Sequence, residues 1–346
     1  MTRATVCIVS NMLNEELKLQ PDLFDEDKIL QKPTRDGYGK GLVEAGEKDE
    51  RVVVLCADLT ESTRSHWFKE KFPQRFIEIG VAEQNLATVA AGLANYGKIP
   101  FISSYATFSP GRNNEQIRTT ISLNNLPVKI AGAHAGISVG PDGATHQALE
   151  DIALMRVQPN MTVIAPCDET EARKATVASL DIDGPVYIRL AREATPVITS
   201  DSTPFTIGKA LKIFHSKNKA GNVDIVILST GSLLYEALSA GKRLSDEGMG
   251  ILIQHHASIK PLDTLAILDA SKTARQIIAL EEHQVACGFG SAISEFLSQT
   301  NPTHIQFIGI RDRFGESGES RELMRHFEID REAIYKIAKN SIINTG

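Results

Sequence analysis

Apolar and polar residues follow two rhythms along this chain. Short, mainly apolar runs at residues 51–56, 75–79, 99–103, 128–133, 162–165 and 186–190 read as strands, the clearest being the near-continuous run at 51–56. Between them, helical spacing occupies residues 38–45, 81–94, 116–123 and 147–155, and Asp168 with Glu171 forms a capping box ahead of another helix. Residues 135–145 form a glycine-rich loop. A stretch at 195–207, with two prolines and several Ser and Thr, reads as a linker. The rhythm then restarts, with strands at 223–228, 250–254, 276–280 and 305–309 and helices at 233–244, 288–297 and 331–339. Strands alternating with helices predict parallel sheets covered by helices. The expected fold class is therefore α/β, with two parallel-sheet domains at residues 35–194 and 211–346 and a linker at 195–210. Residues 1–34 are polar and weakly periodic. Leu23, Phe24, Ile29 and Leu30 stand there among charges, so this segment is expected to be an arm that packs on something else.

Composition narrows the class without naming an activity. A length of 346 residues suits two domains, and 42% hydrophobic with 23% charged residues describes a globular chain. The net charge of −6 and the lack of a basic patch argue against nucleic acid. No apolar run is long enough to span a bilayer, and residues 4–9 are too short for a signal-peptide core. Cys7, Cys56, Cys167 and Cys287 are scattered without a C-x-x-C pair. Such spacing fits reduced thiols in a cytoplasm rather than a disulfide framework or a zinc site.

Three stretches carry candidate chemistry. The string G-V-A-E-Q-N at 80–85 sets Glu83 at a helix start just after a strand. A carboxylate there is ordinarily a surface residue favoured by the helix dipole. Here the helix that follows is nearly all apolar or small, so its first turn is expected to face a cleft at the strand ends, where a carboxylate can do acid–base work. A second stretch, from Gly132 to Gln147, puts His134, Asp142 and His146 on a glycine-rich loop after a buried strand. Two histidines around an aspartate suit a polar-ligand site; a metal reading lacks an i, i+4 His pair or a Cys ligand. The third stretch brings Tyr105 and Phe108 to the end of the 99–103 strand, where they either fill core or stack on a flat heterocycle.

Together, G-V-A-E-Q-N and D-G-x-T-H-Q, in that order and spacing, resemble the pyrimidine-binding domain of the transketolase family. Glu281-Glu282-His283 and Gly288-Phe289-Gly290-Ser291-Ala292 resemble that family's C-terminal domain. The resemblance runs from about Arg35 to the chain end. It implies a thiamine-diphosphate enzyme in which Glu83 hydrogen-bonds N1′ of the aminopyrimidine and so promotes loss of the thiazolium C2 proton. That role requires burial of Glu83 to outweigh the helix dipole. By the same resemblance, Phe108 and Tyr105 match the aromatics around the pyrimidine, and Asp58 matches an acid near the thiazolium and a dimer contact. His134, Asp142 and His146 match residues that bind the sugar's hydroxyls and position its reacting oxygens. Arg35, Ser62 and Arg192 match a sugar-phosphate clamp, with Arg189 close by; guanidinium forks suit a phosphate dianion.

The chain also departs from the family pattern. Gly111 stands where a third aromatic is usual, and Arg112 beside it becomes a candidate anion contact. The G-D-G motif and downstream Asn that hold the diphosphate through Mg²⁺ or Ca²⁺ are not found. The resemblance therefore implies the C-terminal subunit of a split transketolase. Its partner would be an N-terminal subunit carrying the diphosphate and metal ligands, in a homodimeric or heterotetrameric assembly acting on sugar phosphates. The competing expectations are half of a 1-deoxyxylulose-5-phosphate synthase-like or 2-oxoacid dehydrogenase β-like enzyme, or a non-catalytic module of the same fold. Retention of Glu83, His134, Asp142 and His146 together argues against the last.

Overall fold

The structure is a computed structural model, and it describes residues 12–343. Two sheets organise the chain. The first strands and helices are β1 (Gln31–Pro33), α1 (Thr34–Lys48), β2 (Val52–Cys56), α2 (His66–Lys71), β3 (Phe76–Glu78), α3 (Glu83–Asn95) and β4 (Ile99–Tyr105). A single turn, α4 (Asn114–Gln116), continues as a π-helix over Ile117–Ser122. Then come β5 (Lys129–Ala133), α5 (Asp151–Arg156), β6 (Thr162–Ile164), α6 (Glu169–Ala178), β7 (Val186–Arg189) and β8 (Ala194–Pro196). The remaining elements are β9 (Leu211–His215), β10 (Ile225–Ser229), α7 (Leu234–Asp246), β11 (Ile251–His255), β12 (Ser258–Lys260), α8 (Thr264–Thr273), β13 (Gln276–Gln284), α9 (Phe289–Thr300), β14 (Ile305–Ile310), α10 (Ser320–His326) and α11 (Arg331–Ile343).

The larger sheet has seven strands in the order β12-β6-β7-β5-β4-β2-β3, and the smaller has five in the order β14-β13-β10-β11-β9. All pairings are parallel except those of the edge strands β12 and β9. Both domains are thus α/β, as the alternating pattern predicts. Alternation inside β2 shows why its five residues are all apolar. Val53 and Leu55 join a cluster with Leu86, Ala87 and Ala90 of α3, while Val52 and Val54 join Tyr38, Leu42 and Ala172 of α1 and α6 on the other face. A strand with both faces covered favours apolar residues at every position. Helices α1 and α6 cross closely enough that a Cβ at Gly37 would lie 1.9 Å from the Glu169 carbonyl oxygen, which is why a glycine-rich segment can serve as a packed helix.

The cluster on the α3 side continues into the second sheet, through Val226, Leu228, Ile277 and Ala279, to Ile267 of α8 and Ile293 of α9. Strand β12 comes from beyond the 195–210 stretch, yet it pairs Ser258 with Ile164 at the edge of the larger sheet. Three residues are too few to read as a strand from sequence. The 195–210 stretch itself is tied down. Pro196 pairs with Gln31 in a two-stranded ribbon, and Asp168 Oδ2 accepts the backbone N–H groups of Ile198 and Thr199 at 2.8 and 2.6 Å. The capping box at Asp168 forms in part. Its Oδ1 accepts Glu171 N–H at 2.8 Å, but Glu171 turns back to Cys167 N–H rather than to the cap residue.

Two expectations are corrected or refined. Residues 147–150 are not helical. Ala148 bridges to Ala135, and its carbonyl accepts Gly136 N–H at 2.9 Å, so the segment is drawn off the helical path and α5 starts only at Asp151. The arm packs on the second sheet. Leu17, Leu23 and Ile29 are buried with Phe214, Leu234 and Tyr235, whereas Leu30 is exposed.

Candidate active site

The predicted residues gather at the carboxyl ends of the strands of the larger sheet. Gly80, with φ of +81°, turns the chain from β3 into α3. The turn is held by Glu78, whose Oε1 accepts the N–H groups of Asp58 and Gly80 and whose Oε2 accepts Thr60 Oγ1. The sequence reading missed Glu78, whose only signal is its place two residues before that glycine. Its grip keeps Asp58 in the left-handed region, with φ of +58°, and that side chain stays exposed.

Glu83 opens α3 with only 1% of its surface exposed. Ser104 Oγ donates to its Oε1 at 3.2 Å, and Arg112 Nη1 donates to its Oε2 at 2.7 Å. Asn113 Nδ2 holds the backbone oxygen of Glu83 at 3.0 Å. Burial of this carboxylate agrees with the expectation, but an arginine partner was not foreseen. Arg112, a candidate anion contact on sequence, takes the Glu83 carboxylate as its anion.

From Glu83 a run of contacts crosses the strand ends. The Arg112 guanidinium lies 4.6 Å from the Phe108 ring centroid. Phe108 and Tyr105 are stacked at 6.0 Å and 18°. Tyr105 stacks on His134 at 3.9 Å, and the His146 ring stands edge-on to Phe108 at 5.5 Å. His134 Nε2 lies 3.2 Å from Arg35 Nη1, which also donates to the Ser62 carbonyl at 3.0 Å. Thr107 Oγ1 donates to the Thr145 carbonyl at 3.3 Å and ties the loop bearing His146 to the end of β4. Asp142 is exposed on that loop.

Electrostatics separate the two ends of this run. Burial, and after it the positive charges of Arg35, Arg192 and Arg64, lower the His134 pKa to about 2. Its imidazole is therefore neutral, accepting from Arg35 at Nε2 with the proton on Nδ1. Burial first and Arg64 second push the pKa of Arg35 down, against the pull of Asp36. Arg35 Nε and His134 Nδ1 are both buried without a hydrogen-bond partner. Clustered cations with unused donors suit an anion. Ser62 presents its carbonyl to Arg35, and Arg192 donates to the Val139 carbonyl at 2.6 Å. Arg64, bound to Asp36 at 2.6 Å, is a further cation that the sequence reading passed over. Arg189 is committed elsewhere, in a buried 2.8 Å bond to Asp151.

Cys167, Glu171 and His255 bring three potential metal-ligand atoms within 4.8 Å of one another, all buried. Glu171 Oε2 is already bonded to His255 at 2.7 Å and to Cys167 N–H at 2.8 Å. Thiol and imidazole donors do not suit Mg²⁺ or Ca²⁺. Among the described residues Cys56, Cys167 and Cys287 are free thiols; Cys7 lies outside them. No helix among the described residues is long and apolar enough to cross a membrane.

A parallel-sheet domain that sets a buried carboxylate beside an aromatic stack, followed by a second α/β domain, defines the class. Residues 31–197 match the transketolase pyrimidine-binding domain and residues 216–334 the transketolase C-terminal domain. The chain belongs to the transketolase family. It is 41% identical over 308 residues to a putative transketolase C-terminal section of Methanocaldococcus jannaschii, covering 88% of this chain and 95% of that protein. With the 6-deoxy-6-sulfo-D-fructose transketolase subunit of Clostridium sp. it shares 37% identity over 90% of this chain and 95% of that one. A solved split-gene transketolase, described as an inactive beta4 tetramer, superposes with a TM-score of 0.82 at 39% identity, covering 90% of this chain and 98% of that chain. The match to the 1-deoxy-D-xylulose-5-phosphate synthase of Halothermothrix orenii, 35% identical over 87% of this chain, spans 47% of that protein.

Proposed function

We propose that this chain is the C-terminal subunit of a thiamine-diphosphate-dependent transketolase. It would transfer a two-carbon ketol unit from a ketose phosphate to an aldose phosphate, in the cytoplasm, together with a separate N-terminal subunit that holds the diphosphate and its Mg²⁺ or Ca²⁺. Residues 35–194 would carry the pyrimidine site, and residues 211–346 the C-terminal domain. The observation that carries this reading is the buried Glu83 carboxylate, joined through Arg112, Phe108, Tyr105 and His134 to the Arg35 cluster.

The site's donor set fits the cofactor's ring. Arg112, a planar N–H donor, already contacts Glu83 and the Phe108 ring, and a planar aminopyrimidine needs the same two partners. Thiamine diphosphate, when bound, supplies the nucleophile and electron sink for breaking and making a carbon–carbon bond. Glu83 would hold a proton at the ring nitrogen N1′. Phe108 and Tyr105 would fix the ring plane, and Asp58 would stand near the thiazolium. Neutral His134, with Asp142 and His146, would bind sugar oxygens. Arg35, Ser62 and Arg192 would hold the sugar phosphate. The relatives named as subunits, and the split-gene tetramer described as inactive, support a partner-dependent enzyme.

The test is co-purification with an N-terminal subunit, followed by a ketol-transfer assay on phosphorylated sugars. Transfer by the complex and none by either subunit is expected; full activity of this chain alone would sink the split reading. Similarity to the synthase favours a second reading, a synthase-like half. Formation of 1-deoxyxylulose 5-phosphate in place of ketol transfer would select it.

A further inference from the structure

Both oxygens of Glu83 are engaged within the chain, Oε1 by Ser104 and Oε2 by Arg112. The two donors differ in kind. Ser104 is short, fully buried and rooted in β4. Arg112 is long, its side chain is 48% exposed, and it sits in the loop between β4 and α4. A carboxylate with 1% exposure is costly to leave without a partner, so the guanidinium is held there as long as nothing else donates to Oε2. Its second contact is with an aromatic face, 4.6 Å from the Phe108 centroid. A flat donor bound edge-on to Glu83 and lying against Phe108 makes the contacts required of the aminopyrimidine. Ring and guanidinium cannot both have Oε2 and that face of Phe108.

We infer that Arg112 is an internal stand-in for the cofactor's pyrimidine. It satisfies Glu83 in the cofactor-free chain and swings toward solvent when the ring enters. The inference rests on the thiamine-diphosphate reading and adds an energetic consequence to it. A contact present only in the cofactor-free state stabilises that state and weakens cofactor binding by the same factor. Arg112 therefore keeps a buried carboxylate tolerable before assembly, and cofactor binding becomes an exchange of partners on Glu83 rather than the capture of a bare anion. No covalent step is involved.

The experiment uses the complex of the full chain with its N-terminal subunit, wild type against Arg112→Ala and Arg112→Gln, titrated calorimetrically with thiamine diphosphate and Mg²⁺. Arg112→Ala is expected to bind on the order of tenfold tighter, the scale of one charge-assisted hydrogen bond discounted for exposure. Melting gives a second readout. Arg112→Ala should lower Tm without cofactor and leave it nearly unchanged at saturation. Arg112→Gln keeps a planar donor on Glu83 and so protects folding; it should shift affinity in the same direction by less. Unchanged or weaker binding in both variants, or equal losses of Tm with and without cofactor, overturns the inference while the cofactor reading stands. Failure of the wild-type complex to bind thiamine diphosphate overturns both.

Discussion

Each domain buries a glutamate beside a helix start, and the two are satisfied in opposite ways. Glu83 is held by side chains, Ser104 and Arg112. Glu281, on β13, is held by backbone: its Oε2 accepts Phe289 N–H at 2.6 Å and its Oε1 accepts Gly290 N–H at 2.9 Å, both from the first turn of α9. A Cβ at Gly288 would stand 2.0 Å from the Glu281 carboxylate, so that approach is closed to any larger residue. Backbone donors cannot leave without unwinding the helix, whereas a half-exposed arginine can. One carboxylate is open to exchange with a ligand, and the other is locked into the fold. Burial of an acid alone is therefore a poor guide to chemistry; the mobility of its donors separates the two cases.

The largest effect expected from this contrast is catalytic and confined to one side. In the complex with an N-terminal subunit, Glu83→Gln should slow C2–H exchange of bound thiamine diphosphate by about 10²–10⁴-fold, the usual worth of a positioned acid–base group. Glu281→Gln should leave that exchange within a few-fold of wild type. Deuterium exchange followed by NMR after acid quench reads both. Equal losses would mean that the two carboxylates are not different in kind.

Stability should respond on the other side. Glu281→Ala orphans two helix-start N–H groups that are shut off from water, each costing about 1–3 kcal/mol. A loss of about 2–4 kcal/mol in urea unfolding is expected. A loss below about 0.5 kcal/mol would show that water replaces the carboxylate and that the lock is not one.

A smaller effect sharpens the anion end of the site. Arg35→Ala should raise KM for a phosphorylated acceptor by about 1.5–3 kcal/mol in binding terms and leave an unphosphorylated acceptor nearly unaffected, because a remote phosphate contact is uniform binding. Equal effects on both acceptors would assign Arg35 to the support of His134 instead.

What could be read from the sequence follows the range of each interaction. The strands β2 and β5 were legible because both their faces are buried, and the helix after Gly80 because its apolar surface repeats locally. That helix placed Glu83 at a cleft, and the transketolase resemblance required its burial. Its pairing with Arg112 did not, since it joins residues 29 apart through a loop that carries no periodicity. Strand β12 was invisible for the same reason: its identity comes from pairing with β6, not from its own three residues. The expected helix over 147–155 shows the opposite error. Its helical spacing was real, but the bridge between Ala135 and Ala148 and the three backbone carbonyls that accept from Gln147 Nε2, those of Ile137, Gly140 and Glu316, outweigh it for the first four residues.

The finest test of the contrast is a pH slope. Burial pushes the Glu281 carboxyl up to about 7, against the pull of the Gly290 and Phe289 N–H groups and of Arg189 and Arg156. A raised carboxyl favours the folded state most below its unfolded value near 4.5, and that contribution is lost as pH rises toward 7. His134 runs the other way. Its pKa is lowered to about 2 by burial and then by Arg35, so the unfolded chain takes up a proton below about 6.5 that the folded chain refuses, and stability falls as pH falls. Between about pH 5 and 6.5 the two trends oppose each other, each worth at most about 1.4 kcal/mol per pH unit. His134→Gln should therefore make the slope of unfolding free energy against pH more negative across that window, and Glu281→Gln should make it more positive, whatever offset each substitution adds. Denaturant titrations at pH 5.0, 5.75 and 6.5 give the slopes. If Glu281→Gln left the slope unchanged, the carboxylate would already be ionised throughout, with its two backbone donors outweighing burial. The lock at α9 would then be a charged anion site within the fold, and the difference from Glu83 would lie in donor mobility alone.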